Sequence, residues 1–218
     1  MALTWLLVAT GCQSASTPRG TPSPVPSSVS ALPVVEKQPD WRPGDRWVFE
    51  WTSADQSGTK TVEIRSIQEV NAVTYYVARQ DDVDMYYTRD LHWAAAVRRS
   101  KVEARIAPPQ PWFMWPLQVG RDWSYLGTYE DRNGKASRRD RFTVLVGERI
   151  EVPAGQFDTL KVIREGNQDD SDEYWYAPEV RWYVRWIGRR GIVSFEERLR
   201  EHRAGPRAGG TRPSSGPS

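Results

Sequence analysis

Arg46-Trp47-Val48-Phe49-Glu50-Trp51 is the stretch that decides the fold class. Trp47, Phe49 and Trp51 recur every second residue, so a strand sets the three aromatics on one face and Arg46 and Glu50 on the other, whereas a helix scatters them. The same period runs through the middle of the chain. Val62 and Ile64 alternate with Thr61, Glu63 and Arg65. Leu91, Trp93, Ala95 and Val97 alternate with His92, Ala94, Ala96 and Arg98. Phe142, Val144 and Val146 alternate with Thr143, Leu145 and Gly147, and Trp182, Val184 and Trp186 with Arg181, Tyr183 and Arg185. Turn signals separate these runs: Gln56-Ser57-Gly58, Asp81-Asp82, Asn133-Gly134, Pro153-Ala154-Gly155 and Arg189-Arg190-Gly191. Asn133-Gly134 is the strongest, because both central residues of a type I′ turn need positive φ. No stretch carries a convincing amphipathic-helix period. The pattern predicts an all-β domain, a single antiparallel and strongly curved sheet of about ten strands, an open half-barrel or roll around an apolar interior.

Composition bounds the function. The chain has 218 residues and a formal net charge of +2, with acids and bases interleaved. A nucleic-acid protein normally shows a basic face, and none is legible here. Arg98-Arg99, Arg138-Arg139 and Arg189-Arg190 are isolated pairs that read as solvated turn charges. Cys12 is the sole cysteine, which excludes a disulfide within the chain. Residues 41–202, with 203–218 a disordered Gly, Pro, Ser and Arg tail, are long enough to bury a core without disulfides or metals.

The N-terminus differs from this middle. Leu3 to Ala9 is an apolar run far too short to span a bilayer, which needs about 20 residues. It leads into Ala9-Thr10-Gly11-Cys12. Small residues followed at once by cysteine resemble the lipobox of bacterial lipoproteins. That resemblance implies a signal segment over residues 1–12, cleavage before Cys12, and a diacylglycerol on its thiol that holds the protein to a membrane. Two features depart from the pattern: no Lys or Arg precedes the apolar run, and Ala9 stands where a larger aliphatic is commoner. Residues 13–40 are rich in Ser, Thr and Pro, cannot bury enough apolar area to fold, and read as a disordered tether with a reach on the order of 30 Å. Gln13, following the cysteine in place of Asp, implies by the same resemblance the outer membrane, facing the periplasm, in a cell with two membranes. In a cell with one, the place is the outer face of the plasma membrane.

An internal repeat is legible. Gly44-Asp45-Arg46-Trp47 resembles Gly120-Arg121-Asp122-Trp123. The segment Asp84 to Trp93, with Tyr86 and Tyr87, resembles Glu173 to Trp182, with Tyr174 and Tyr176. Halves of about 41–107 and 112–202 then form two related meanders joined near Pro108-Pro109-Gln110-Pro111. The second half carries Trp115-Pro116-Leu117-Gln118-Val119-Gly120-Arg121-Asp122-Trp123, Val152-Pro153-Ala154-Gly155-Gln156-Phe157 and Tyr174-Trp175-Tyr176-Ala177-Pro178-Glu179-Val180. These three motifs together resemble a domain of unknown function found in exported bacterial proteins and lipoproteins. Arg181 departs from that pattern, which has Gly there, and the family offers no catalytic residue to carry over.

No chemistry selects itself. The middle holds no cysteine, His92 sits opposite the apolar face of its strand, and His202 lies at the edge of the tail, so no nucleophile–base pair stands out. The acidic runs Asp81-Asp82-Val83-Asp84 and Asp169-Asp170-Ser171-Asp172-Glu173 lack the ligand spacing of a calcium loop and read as solvated turns. No catalytic residue, metal or cofactor is assigned. The aromatics remain: Trp47, Phe49 and Trp51, then Trp93, then Trp123 and Tyr125, then Trp182 and Trp186 are expected to line one interior. That interior is either a plain core or a cavity for a lipid or other hydrophobic molecule. The first expectation is therefore a binding module. The second is a structural or interaction module with a filled core and an envelope protein as partner. An enzyme ranks last.

Overall fold

The computed structural model describes residues 34–167 and 170–206. Cys12, the signal segment, most of the tether and residues 207–218 lie outside them. The described chain is all-β and antiparallel, with no helix among these residues. Twelve strands follow one another: β1 (Arg46–Ser53), β2 (Gln56–Val70), β3 (Val73–Gln80), β4 (Val83–Thr88), β5 (His92–Arg98), β6 (Lys101–Pro111), β7 (Asp122–Asp131), β8 (Gly134–Val152), β9 (Gly155–Glu165), β10 (Asp170–Ala177), β11 (Trp182–Arg190) and β12 (Val193–Arg203).

Each strand pairs with its sequence neighbours, and β1 also pairs with β12, from Arg46 opposite Arg203 to Ser53 opposite Phe195. The sheet is therefore a closed up-and-down barrel of twelve strands, not the expected open half-barrel of about ten. Closure removes the two edges that an open sheet would leave unpaired. The shortfall has a physical reason in β12. Its inward positions are Glu197 and Leu199, so an acid interrupts the apolar alternation and leaves Leu199 as its single fully buried apolar residue. His202, expected at the margin of a tail, belongs to this strand, opposite Trp47.

Turn chemistry also differs from expectation. Asp131 pairs with Gly134, so the β7–β8 turn is Arg132-Asn133, and Gly134 opens β8 with φ 122°. The turns with two consecutive positive-φ residues are Asn71-Ala72 and Arg99-Ser100, neither of which contains glycine. Bulges break strict alternation at several pairings, and two of them, in β5 and β11, reset aromatic strands. Tyr86 pairs with Ala95 but Tyr87 with Trp93, and Trp175 pairs with Arg185 but Tyr176 with Tyr183. Ala94 and Val184 are the extra residues, and each shifts the inward set of its strand by one.

The two bulges occupy matching places in the two halves, and the halves agree elsewhere. Gly44 N–H donates to Ile64 O and Ile64 N–H to Asp45 O; Gly120 N–H donates to Val144 O and Val144 N–H to Arg121 O. Both glycines sit at positive φ, 92° and 83°. The outer wall carries cross-strand ion pairs such as Arg105–Glu130, Arg149–Asp158 and Arg185–Glu196. Exposed apolar residues such as Ile67, Val102, Leu126 and Leu145 stand among these pairs.

Candidate functional site

Eight strands make a barrel whose side chains just fill it, and twelve enclose more than one layer of side chains can. One end is filled by chain from outside the strands. Trp41 of the entering segment is fully buried and packs on Trp47, Tyr76, Tyr87 and Trp182, with ring centroids 4.6–5.6 Å apart. Phe113 and Leu117, from the β6–β7 connection, are equally buried, and Phe113 reaches Tyr174, Tyr176 and Trp182. Val35 pairs with Leu117 through two backbone hydrogen bonds and ties the two plugging segments together.

Beyond this plug, inside the barrel, lies a cavity of about 380 Å³. Small-molecule sites span about 300–1,000 Å³, so it suits one small ligand or part of a larger one. Gln80 and Arg190, the last residues of β3 and β11, stand in its wall, which places it toward the end carrying the β3–β4 and β11–β12 hairpins. Its aromatic wall includes Tyr87, Trp93, Trp112, Trp182, Tyr183 and Trp186.

Of the eight aromatics expected to line the interior, Trp93, Trp182 and Trp186 border this cavity. Trp47 and Phe49 are wholly buried outside its wall: Trp47 stacks on His202 and donates to Val180 O at 2.8 Å, and Phe49 packs on Tyr183. Trp123 stacks on Phe142 at 5.1 Å and donates to Pro111 O, and Tyr125 donates to Pro108 O at 2.6 Å. Trp51 is half-buried and covers Gly58, where a Cβ would meet its indole at 2.9 Å.

Val62, Met85 and Ile106 add apolar wall, and the remainder includes the charged residues Lys60, Arg138, Arg164, Asp172, Arg190 and Glu197. Arg164 is 1% exposed and directs Nε to Asp172, Nη1 to Asp140 and Nη2 to Asp170, at 2.5–2.7 Å. Arg138 binds Asp140 and Asp170, and Arg190 binds Asp170 and Asp172. Gln110 Nε2 donates to Asp140, and Trp186 Nε1 donates to Asp172 at 3.0 Å. Across the cavity, Lys60 pairs with Glu197, which also accepts from the Tyr183 hydroxyl at 2.8 Å. Asp170 and Asp172, expected in a solvated turn, are thus ligands of a buried guanidinium. Extending the parity of Leu160 and Val162 to Arg164, and of Tyr174 to Asp172 and Asp170, is the sequence signal that would have found them.

Electrostatics follow from this pairing. Burial pushes the Asp170 carboxyl up, but the hydrogen bond from Arg164 and the charges of Arg164, Arg138 and Arg190 outweigh it and hold the pKa below its ordinary value. Burial opposes the Arg164 charge, and Asp172 and its neighbours reverse that, so its pKa is raised. Burial, followed by the Glu197 charge, raises the Tyr87 and Tyr183 hydroxyls. Among the described residues no group of three or more His, Cys, Asp or Glu is placed to hold a metal.

Fold and site define a class: a plugged, twelve-stranded antiparallel barrel with a mixed aromatic and ion-paired cavity. No protein-family model matches the chain, and no curated protein matches it. Among solved structures it is similar to a candidate lipoprotein of Parabacteroides distasonis, at 13% identity over 78% of this chain and 98% of that one, TM-score 0.44. It is similar to a candidate exported protein with a YmcC-like fold from Bacteroides fragilis, at 12% identity over 78% and 99%, TM-score 0.46. It is also similar to the hypothetical lipoprotein YmcC of Escherichia coli, at 8% identity over 79% and 86%, TM-score 0.39.

Proposed function

We propose that this chain is an envelope lipoprotein, exported and anchored by a lipid on Cys12, whose barrel is a binding module for a lipid or other hydrophobic small molecule. The cavity carries the binding reading. A barrel built only for stability gains from filling its interior, since close packing adds dispersion and removes voids. Here the filling stops at Trp112 and Trp182, and a space large enough for a ligand remains between aromatic rings. The anchor rests on the Ala9-Thr10-Gly11-Cys12 sequence. The tether lets the barrel stand off the membrane, at the outer membrane of a two-membrane cell or the outer face of a single one. The matching bulges and glycine turns support two related six-stranded halves, β1–β6 and β7–β12.

One observation favours a second reading, an interaction module with an envelope protein as partner. Ile192 is fully exposed at the tip of the β11–β12 hairpin, beside the partly exposed Val193 and Phe195. Native mass spectrometry of residues 13–218, purified without denaturant, separates the two. The binding reading expects an extra mass that organic extraction removes and a membrane-lipid extract restores. A clean apo mass that stays apo in that extract contradicts it and leaves the interaction reading. The intact mass of the full-length protein taken from membranes tests the anchor, with acyl groups expected on Cys12.

A further inference from the structure

We infer that the cavity's ligand carries an alcohol head, held between the carboxylate oxygen Oε1 of Glu197 and the hydroxyl of Tyr87. This rests on the cavity being a ligand site, and it names the chemistry of what enters. Both side chains stand in the cavity wall, and the two residues are 7% and 5% exposed. Glu197 spends one oxygen on the protein: Oε2 pairs with Lys60 and accepts from the Tyr183 hydroxyl at 2.8 Å, while Oε1 meets no donor among the described residues. Tyr87 is held through its ring, edge-on to Trp41, Trp112 and Trp182, and its hydroxyl likewise has no partner among these residues. The unpartnered polar side-chain atoms that are sealed from all surface are Nε1 of Trp93, Nε1 of Trp182 and Nε2 of His202. Glu197 Oε1 and the Tyr87 hydroxyl are not of that kind. Both keep open surface, and on side chains so buried in the wall that surface is the cavity's. The two groups are neighbours: burial, then the Glu197 charge, raises the Tyr87 hydroxyl, yet no hydrogen bond joins them.

An alcohol suits this pair because it is donor and acceptor at once. Its O–H donates to Glu197 Oε1, which takes only donors, and its oxygen accepts from the Tyr87 hydroxyl. It reproduces the hydrogen bonds a trapped water would make there and brings an apolar chain to the rings alongside. An ether accepts from Tyr87 but leaves the carboxylate oxygen unmet in a buried site, which costs affinity. Charge selects further. Lys60 already neutralises Glu197, so an ammonium head finds no free acid and meets Lys60. A carboxylate head meets Glu197 and Asp172, and the cations beside it are taken, since Arg138, Arg164 and Arg190 share Asp140, Asp170 and Asp172. The rings of Trp112, Trp182 and Trp186 are left for the apolar part of the ligand.

The test uses residues 13–218 and probes matched in size. Octan-1-ol, 1-methoxyheptane and nonane are followed by headspace partitioning, and octanoate and octylammonium by titration calorimetry at neutral pH. Octan-1-ol is expected to bind about tenfold more tightly than the ether, which lacks the donor for Glu197, and more tightly than either ion. Tyr87→Phe is expected to weaken octan-1-ol about two- to tenfold and to leave nonane unchanged. The ether binding as tightly as the alcohol, either ion binding more tightly than the alcohol, or a folded Tyr87→Phe variant that holds octan-1-ol at native strength overturns the alcohol head while leaving a ligand site in the cavity. Failure of all five probes to bind overturns the binding reading itself. Where Tyr87→Phe does not fold, the order of the probes on the native protein decides.

Discussion

Arg164 is where a single residue carries most of the interior's electrostatics. Its three guanidinium nitrogens each meet an aspartate, and removing it leaves Asp140, Asp170 and Asp172 facing only Arg138 and Arg190. Arg164→Met is expected to cost about 3–5 kcal/mol in urea unfolding at neutral pH, the penalty for breaking a buried pair from one side. The pH dependence has a definite sign. The folded pKa of Asp170 is depressed, so its contribution is present above the unfolded carboxylate value of about 3.9 and is lost as pH falls through the lower folded value. The gap between Arg164→Met and the native protein should therefore narrow in acid. Alternation placed Trp47 and Phe49 inside correctly, because their polar neighbours Arg46 and Glu50 mark the other face. It missed Arg164, Asp172 and Glu197, because strand parity can set a charge on the inward face but does not name the partners, on strands far away in sequence, that make its burial tolerable.

β12 shows the same limit for a whole element. Its sequence, Val193-Ser194-Phe195-Glu196-Glu197-Arg198-Leu199-Arg200-Glu201-His202-Arg203, is mostly charged and reads as a solvated edge. It is nevertheless hydrogen-bonded on both sides, to β11 and to β1. What the sequence alone could not supply is the register that brings Leu199 opposite Phe49 and Glu197 within reach of Lys60. In an open sheet, β1 and β12 would be edges whose amides exchange within the local fluctuations of a frayed strand. In the closed barrel, hydrogen exchange is expected to protect the inward-facing stretches of β1 and β12 as strongly as those of β8 and β9. Fast exchange throughout β1 and β12 alone would contradict closure. The bulges at Ala94 and Val184 were equally hidden, since Trp93-Ala94-Ala95-Ala96 and Trp182-Tyr183-Val184-Arg185 each admit two parities until the partner strand fixes one.

The whole molecule combines a plugged end, an aromatic cavity and a charged wall, and its buried phenols report on that state together. Burial raises the hydroxyl pKa of Tyr87, Tyr174, Tyr176 and Tyr183, and burial helped by Asp140 pushes Tyr125 up to about 12. Folded values above the unfolded value of about 10 mean that this contribution is complete below pH ~10 and is lost as pH rises through the folded values. Ionisation of these tyrosines is expected to coincide with loss of the near-ultraviolet dichroism of the aromatic core in a single alkaline transition. Their titration in a protein that keeps that dichroism would mean the core is open to water. The overall class, all-β and antiparallel, was legible from period-two alternation. The cavity was not, since whether twelve strands are filled or hollow depends on where Trp41 and Phe113 stop, and that is a property of the assembled barrel.

Uptake of an uncharged, polarity-sensitive fluorophore, N-phenyl-1-naphthylamine, decides whether the barrel holds a hydrophobic ligand. One saturable site per chain is expected, competed by methyl decanoate and removed by Ile106→Trp, which sets a bulky indole in the cavity wall in place of the smaller aliphatic side chain. A protein that stays folded and shows no saturable uptake, or whose uptake survives both the competitor and a folded Ile106→Trp variant, would contradict a ligand-holding barrel.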